Sequence, residues 1–503
     1  MNYIDSLLDR ITTYRLLFYY LIALVAAAML LGSLGLLSYS PISIFLMTSY
    51  TVFVCWIINL CFAAYFQVPH NPESSLITGL ILSLLISPTF KMDTLVFLTA
   101  ASGLAIASKY LITFRSTHLF NPVAIAIVLT SLGAGDSANW WVGSVQLVPF
   151  VILGGLLLIR RTQKIQMVLM YFSVALLSTL FIASFKGIDL LTTLQATIFH
   201  SSLFFLGFVM LTEPFSSPAS AKNQRWYALF TGLLFSPQIS FFGLYSTPEL
   251  SLVLGNLFSF IVSPKFRFSP HFKERIAWGD RVSDFIFTTD RHLSYLPGQY
   301  IELTLPHARP DARGSRRYFT LASSPTETEL HIGVKFYPDG STFKNTLQTI
   351  TPETPLLMGQ LAGEFTLPRS STKKLTFIAA GIGITPFRSM MKYLIDTDKQ
   401  QPVTLFYIER DDQNLAYTDV FEHAKKQLGS TIYYILTGQT EQLPLNTVGH
   451  SITPSLIKEK LPDYKEQLFY ISGPRAVVTS TKQMLIGLGV SRRHIKTDFF
   501  PGL

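Results

Sequence analysis

Leu375-Thr376-Phe377-Ile378-Ala379-Ala380-Gly381-Ile382-Gly383-Ile384-Thr385-Pro386 reads as an apolar strand running into a glycine turn and then a helix with proline at its start. Glycines at such a junction let backbone N–H groups approach a pyrophosphate, and the helix N-terminus favours its negative charge. Around this stretch apolar strands alternate with helical segments: 375–379, 386–395, 403–407, 415–427, 433–436, 453–460, 468–472 and 474–488. Alternation of this kind predicts a parallel sheet with helices on both faces, an α/β nucleotide domain over residues 371–503.

Upstream the pattern changes to short strands near 285–288, 300–305, 318–322 and 330–336, separated by Pro-Gly, Asp-Ala-Arg-Gly and Asp-Gly turns. That spacing predicts a small antiparallel β-barrel over 272–370. Within it Leu296-Pro297-Gly298-Gln299-Tyr300 precedes Arg317-Tyr318-Phe319-Thr320-Leu321-Ala322-Ser323-Ser324-Pro325. An arginine and an aromatic at i and i+2 share one face of a strand, where they could bind a phosphate and stack on a flavin ring. The same pair could equally be a surface strand pair.

The first half is of another kind. Of the 503 residues only 14% are charged, against about 25% in soluble domains. Residues 16–264 hold nine Lys/Arg and six Asp/Glu, about 6% charged, while the remainder carries about 22%, close to that norm. Ten apolar stretches, near 16–37, 42–66, 75–89, 94–113, 120–133, 141–159, 166–184, 196–213, 225–243 and 247–264, read as membrane-spanning helices of domain 1–264, joined by a linker at 265–271. With both termini in the cytoplasm, the inside segments hold eleven Lys/Arg and the outside loops only Lys91 and Lys186, an asymmetry that predicts a multi-pass membrane protein with its second half cytoplasmic. Met1–Arg15 is polar and precedes a full spanning length, which does not read as a cleavable signal.

The net charge of +9 includes no basic block or arm, so nucleic acid is not an expected partner. Cys55 and Cys61 are the only cysteines, which excludes a Cys-ligated iron–sulfur cluster, a Cys-type zinc site and a disulfide scaffold; no metal site is expected. A weak internal repeat pairs Leu85-Ile86-Ser87-Pro88 with Leu211-Thr212-Glu213-Pro214, and Phe120-Asn121-Pro122 with Gly255-Asn256. Five helices per copy would set the copies upside down to one another, and such interrupted segments point to a midplane site built from broken helices. Asn121, Pro122, Thr212, Glu213, Pro214 and Asn256 are its candidates. Glu213 is either an ionisable group at membrane depth or a hydrated loop residue after the helix end. His200 reads as a hydrogen-bonded core histidine, and Trp140, Trp141 and Trp226 as interfacial anchors.

Two family resemblances follow from these motifs. Ser6-Leu7-Leu8-Asp9-Arg10-Ile11-Thr12-Thr13-Tyr14-Arg15, Ser116-Thr117-His118-Leu119-Phe120-Asn121-Pro122 and Phe208-Val209-Met210-Leu211-Thr212-Glu213-Pro214 resemble the D-type membrane component of Rnf electron-transport complexes, and the B-type component of the sodium-pumping NADH:quinone oxidoreductase is similar. The likeness covers most of 1–264 and implies a ten-helix, inverted-repeat, flavin-carrying fold. Those proteins bind one FMN covalently at a Ser-Gly-Ala-Thr sequence. That sequence does not occur here, and the loop reads Leu132-Gly133-Ala134-Gly135-Asp136-Ser137. A non-covalent FMN or riboflavin is what the resemblance leaves.

Over 272–503 the order Pro-Gly-Gln-Tyr, Arg-x-aromatic-Thr, Gly340-Ser341-Thr342, Gly-Ile-Gly-Ile-Thr-Pro, Ser472-Gly473-Pro474 and Asp498-Phe499-Phe500-Pro501-Gly502 resembles the ferredoxin–NADP reductase family. The resemblance implies FAD on the barrel and NAD(P)H on the parallel sheet. Arg317 would contact the FAD pyrophosphate, Phe319 would stack on the flavin, and Thr320 would lie near its reactive nitrogen. Gly340, Ser341 and Thr342 would hold the diphosphate, with Gly298, Gln299, Tyr318 and Lys335 in the same cofactor set. Gly381, Gly383, Thr385 and Pro386 would bind the nucleotide phosphates, while Gly473 and Pro474 shape the nicotinamide pocket. Phe499 or Phe500 would cover the ring. Many relatives have cysteine where Ser472 stands, which implies slower hydride transfer here; Thr320, Ser472 and Phe500 form the expected catalytic set.

Together these features predict a membrane-bound NAD(P)H oxidoreductase passing electrons through FAD to a flavin or quinone in or across the lipid bilayer. A redox-driven Na+/H+ pump is the alternative, and a haem-type ferric reductase a weaker one, because His70, His118 and His200 are the only histidines of the apolar half. Arg410 follows a sheet strand where a 2′-phosphate could bind but adjoins Asp411 and Asp412, which leaves NADH against NADPH open.

Overall fold

The computed structural model describes residues 8, 11–68, 72–115, 117–135, 137–241, 244–263, 265–338, 340–368, 373–401, 403–438 and 446–500. The chain divides into two compact units, Asn2–Phe266 and Arg267–Leu503. In the first, helices α1 (Thr13–Ser33), α2 (Pro41–Tyr65), α3 (Pro72–Leu85) and α4 (Met92–Leu111) are followed by the hairpin β1 (Thr113–Phe114)–β2 (Thr117–His118) and by α5 (Pro122–Ala134). Then come α6 (Val148–Thr162), α7 (Ile165–Phe185), α8 (Leu190–Phe199), its bent continuation α9 (Leu203–Met210), α10 (Ala221–Leu233), the hairpin β3 (Ser240–Phe241)–β4 (Leu244–Tyr245) and α11 (Pro248–Val262). Side chains of Thr12, Ser40, Asn121, Asp189, Ser220 and Thr247 accept from first-turn N–H groups, and Pro41, Pro122 and Pro248 occupy first-turn positions that need no intrahelical donor.

Among the described residues four helices, α1, α2, α4 and α7, are long and apolar enough to cross a membrane singly, and α8 with α9, bent by 52°, would make a fifth. Helices α3, α5 and α11 have 14, 13 and 15 residues, so each reaches only about 20 Å. At α3 and α9 the apolar runs continue through Ile86-Ser87-Pro88 and Leu211-Thr212, where the helices have already stopped. His200 sits at the α8–α9 bend, not inside a helix, and residues Leu206–Met210 form a π-helical turn. The long helices turn Tyr19, Phe53, Leu177 and Phe181 outward, whereas every residue from Ile77 to Leu85 of α3 is buried. The order four helices, hairpin, helix occurs twice. Asn121 and Asn256 are not equivalent in it: one caps α5, the other lies within α11, and they meet directly.

The second unit opens with β5 (Arg267–Phe268), β6 (His271–Trp278), β7 (Val282–Thr288), β8 (Tyr300–Thr304), β9 (Arg316–Thr320), β10 (Leu330–Lys335), the short helix α12 (Thr342–Leu347) and β11 (Leu357–Ala362). Antiparallel sheets β10-β7-β6 and β5-β11-β8-β9 are bridged at Leu321–Ile332, which makes the barrel. A parallel sheet of order β14-β13-β12-β15-β16 follows, with β12 (Leu375–Ala380), β13 (Val403–Glu409), β14 (Thr431–Leu436), β15 (Leu468–Pro474) and β16 (Ile495–Phe500). Helices α13 (Thr385–Asp396), α14 (Thr418–Leu428), α15 (Pro454–Lys460) and α16 (Arg475–Gly487) belong to the same half. Phe377, Leu405 and Tyr470 pack on one face and Ile378, Phe406 and Phe469 on the other, so the strands are apolar throughout. The chain starts at β12, works outward to β14, then returns to the other side of β12. That reversal leaves a crevice between the carboxyl ends of β12 and β15, where open α/β sheets bind ligands.

Barrel and sheet are tied by buried polar contacts. Arg388 of α13, 6% exposed, donates to the Ala322 carbonyl at 3.1 Å and pairs with Glu327. Ser389 Oγ donates to the Ser323 carbonyl at 2.6 Å, and Tyr417 donates to Asp284, which also bonds His331. Replacing Glu327 with alanine strands a buried guanidinium and is expected to cost the second unit about 3 kcal/mol. Amide exchange across β12 in the full chain checks it; unchanged protection would show that the pair does not hold the unit together.

Candidate functional site

The crevice at the strand reversal is built by backbone. Gly381–Ile384 form a single tight turn between β12 and α13, with Gly381 at φ +56°. A Cβ on Gly383 would lie 2.3 Å from the Ser472 carbonyl oxygen, so only glycine lets the turn reach β15. Gly473, at φ +150°, would place a Cβ 2.8 Å from Ala380 Cβ. Thr385 does not present its hydroxyl: it bonds the Ile382 carbonyl at 3.1 Å while its methyl packs toward Gly333 of the barrel. Pro386 sits in the first turn of α13, and Pro474 precedes α16. Ser472 Oγ is enclosed with no partner among the described residues. Asp498 lies opposite Ser472 in the β15–β16 register, Phe499 opposite Gly473, and Phe500 opposite Pro474. The side chain of Phe500, with Pro501 and Gly502, lies outside the described residues.

On the barrel, Arg317 and Phe319 do share a face, and both meet Phe343: the guanidinium stands 5.0 Å from its ring centre and the Phe319 ring 6.0 Å. Arg317 donates to the carbonyls of Arg313 at 2.7 Å, Gly314 at 3.0 Å and Arg316 at 2.7 Å and pairs with Asp311, while Nε is enclosed without an acceptor among the described residues. Burial pulls its pKa down to about 10, against the pull of Asp311. Lys344, brought to about 8 by burial and then by Arg313 and Arg317, completes a basic cluster beside Gly340 and Ser341. Thr342 Oγ1 accepts from the Asp311 N–H at 3.0 Å and lies 3.1 Å from His307 Nε2. Gly298, at φ +94°, backs onto the Phe365 carbonyl. Gln299 is spent on its own turn, bonding Leu296 N and the Gly363 carbonyl. Tyr318 points away, half exposed and bonded to Gln360; Thr320 is buried at the strand end.

These features suit the cofactors expected of them. An enclosed guanidinium in a basic cluster fits a diphosphate, and a side-chain-free crevice at a strand reversal fits a dinucleotide. Lys335, expected in the cofactor set, has its ammonium 2.5 Å from Glu409, a residue that no sequence motif singles out and one that ends the strand beside the glycine turn.

In the first unit the six candidates do converge. Glu213, 16% exposed at its side chain, is enclosed rather than hydrated. It accepts from Asn121 Nδ2 at 2.9 Å and Ser216 Oγ at 2.9 Å, and lies 3.3 Å from His118 Nε2. The Asn121 N–H bonds Asn256 Oδ1 at 2.8 Å, and Asn256 Nδ2 bonds the Tyr227 hydroxyl at 2.9 Å. The carbonyls freed where the chain leaves α9 are met by lysines: Thr212 by Lys164 at 2.9 Å, Pro214 and Ser217 by Lys265. Thr212 Oγ1 bonds back to Phe208, and Pro122 starts α5. His70, Ser116 and Asp136 lie outside the described residues.

Burial raises the Asp498 carboxyl to about 6. A raised carboxyl stabilises the folded state fully below its unfolded value and loses that contribution as pH rises through the folded one. Stability of the second unit should therefore fall between about pH 4 and pH 6. Asp498→Asn is expected to flatten that slope and to raise the melting temperature at about pH 7.5 by a few degrees; thermal scans of the full chain across this range measure both.

Residues 377–483 match the family model described as oxidoreductase NAD-binding domain. The glycine betaine monooxygenase reductase subunit of Chromohalobacter salexigens is 22% identical over 224 residues, 44% of this chain and 60% of that protein. A flavohemoprotein of Rhodopirellula baltica is 26% identical over 219 residues, 41% of this chain and 53% of that one. The chain thus spans little more than half the length of these relatives. Among solved structures, the flavohem-like FAD/NAD-binding domain of nitric oxide dioxygenase from Vibrio cholerae aligns with 46% of this chain and 98% of its own, at 19% identity and a TM-score of 0.41. The second half of the chain is thus similar to reductase modules and contains a match to an NAD-binding oxidoreductase domain.

Proposed function

We propose that the chain is a membrane-bound flavoprotein oxidoreductase that takes electrons from NAD(P)H and delivers them to an acceptor in or across the bilayer. The observation that carries this reading is the crevice at the β12–β15 reversal, floored by glycine backbone and packed against the barrel through Gly333. The turn at Gly381–Ile384 lets the backbone approach the nucleotide phosphates, and Ser472 and Gly473 wall the nicotinamide side. Arg317, with Arg313 and Lys344 nearby, neutralises the FAD diphosphate, and Phe319 offers its ring. When bound, FAD supplies a two-electron acceptor for hydride that gives up its electrons singly.

The finer organisation belongs to the same proposal. Residues 1–264 form the electron-transfer domain, 265–271 a linker, 272–370 the FAD domain and 371–503 the nucleotide domain, with both termini cytoplasmic in a bacterial inner membrane. The twice-repeated helix order and the convergence of Glu213, Asn121 and Asn256 support an inverted-repeat, Rnf-like membrane half that holds a non-covalent flavin or admits quinone. A second reading is favoured by the relatives, a monooxygenase reductase subunit and a flavohemoprotein: there the acceptor is an oxygenase or haem partner.

Cofactor extraction from the purified full chain decides between them. FAD plus a second flavin without a Soret band, and NADH-dependent quinone reduction in membranes, is the expected result. FAD alone removes the membrane flavin, and a Soret band revives the haem reading. Arg317→Met is expected to lower bound FAD per chain about tenfold or more, since a charged hydrogen-bond partner is lost; full flavin content in that variant would remove Arg317 from the site.

A further inference from the structure

Glu409 is the last residue of β13, the strand paired with the one that carries the glycine turn. It is 4% exposed. One carboxylate oxygen, Oε1, accepts from Lys335 Nζ at 2.5 Å and from the Arg410 N–H at 3.0 Å. The other, Oε2, is enclosed and meets no donor among the described residues. A Cβ on Gly381 would stand 3.6 Å from this Oε2 and 3.6 Å from Lys335 Nζ, so the open side of the turn looks onto both groups.

An enclosed acceptor without a donor is costly, and a ligand that brings a donor relieves the cost. A carboxylate can only accept. Of the parts of a nicotinamide dinucleotide, ribose hydroxyls can donate to it, whereas phosphates bring further negative charge. Dinucleotide-binding sheets of this kind place an acid after the first strand–turn–helix so that it takes the ribose 2′-hydroxyl. Lys335 and the Arg410 N–H grip one oxygen, which holds the carboxylate with the other beside the glycine turn.

We propose that Glu409 Oε2 accepts a hydrogen bond from the adenosine ribose 2′-hydroxyl of the bound coenzyme and thereby selects NADH over NADPH, whose 2′-phosphate would meet a like charge there. This rests on the nicotinamide-site reading above. Arg410, the residue whose position suggested a 2′-phosphate contact, is exposed, and its stem runs beside Gly438.

The test measures binding of ADP-ribose and of 2′-phospho-ADP-ribose to the full chain by calorimetry, alongside the KM values for NADH and NADPH. Wild type should bind ADP-ribose more tightly. Glu409→Gln keeps the shape and removes the charge, and is expected to shrink the preference about tenfold or more by both readouts. Because the preference is a ratio within one preparation, partial unfolding cancels. Should the variant fail to fold with Lys335 unpaired, Glu409→Asp, which withdraws the charge by one methylene, should also shrink the ratio. An unchanged ratio in a folded variant, or a wild type that prefers the 2′-phosphate, overturns the proposal while leaving the nicotinamide site in place. Binding of neither compound to wild type would overturn the nicotinamide-site reading itself.

Discussion

The contact on which the second unit depends is one of backbone on backbone, the glycine turn at Gly383 against the carbonyl of Ser472. Parallel strands whose order reverses diverge at their carboxyl ends, and any side chain at Gly383 would hold them apart. With none there, the turn closes on β15, Gly473 bends away at φ +150°, and α13 leaves at an angle that brings Thr385 and Ile382 onto Gly333 of the barrel. Arg388 and Ser389, on the same helix, then reach the Ala322 and Ser323 carbonyls. The junction of barrel and sheet is thus set by the residues that open the crevice.

The first unit meets a related problem with other means. Stopping α9 at Met210, ahead of Pro214, leaves carbonyls that would be unsatisfied in an apolar setting. Lys164 and Lys265 supply ammonium donors to Thr212, Pro214 and Ser217, and the Glu213 carboxylate that the same break projects is met by Asn121, Ser216 and His118. Charges that look isolated along the sequence are therefore partners in space.

What is legible in the sequence follows from how local each signal is. The strands and helices of the second half carry their own punctuation, and residues 375–386 read as strand, turn and helix start because the three are contiguous, although the inward bond of the Thr385 hydroxyl to the Ile382 carbonyl is not visible there. The first half misleads where hydropathy runs past a helix end: apolar residues continue through Ile86-Ser87-Pro88, so α3 is expected to run to residue 89 but stops at Leu85. Asn121 and Asn256 stand out as a repeat because both are polar residues in apolar surroundings, a signal of contact rather than of equivalence. Glu409 escapes notice because nothing in the chain around it announces burial; only the pairing of β13 with β12 and the position of Lys335 on a different sheet make it conspicuous.

The pairing of Lys335 with Glu409 also changes how charge in the crevice is to be counted. Read along the chain, Lys335 is one more member of the expected cofactor set. In space that cation is already matched, and the unmatched atom beside Gly381 is an acceptor. The surplus positive charge lies instead at Arg313, Arg317 and Lys344, close enough that burial and mutual repulsion lower the Lys344 ammonium to about 8. Basic and acidic faces are therefore divided between the two ends of the module: the barrel end gathers Arg313, Arg317 and Lys344, and the strand end carries the unmatched Glu409 oxygen. A ligand with phosphates at its middle and sugars at its ends can satisfy the glycine turn and Glu409 together, which neither a free phosphate nor a bare sugar could do.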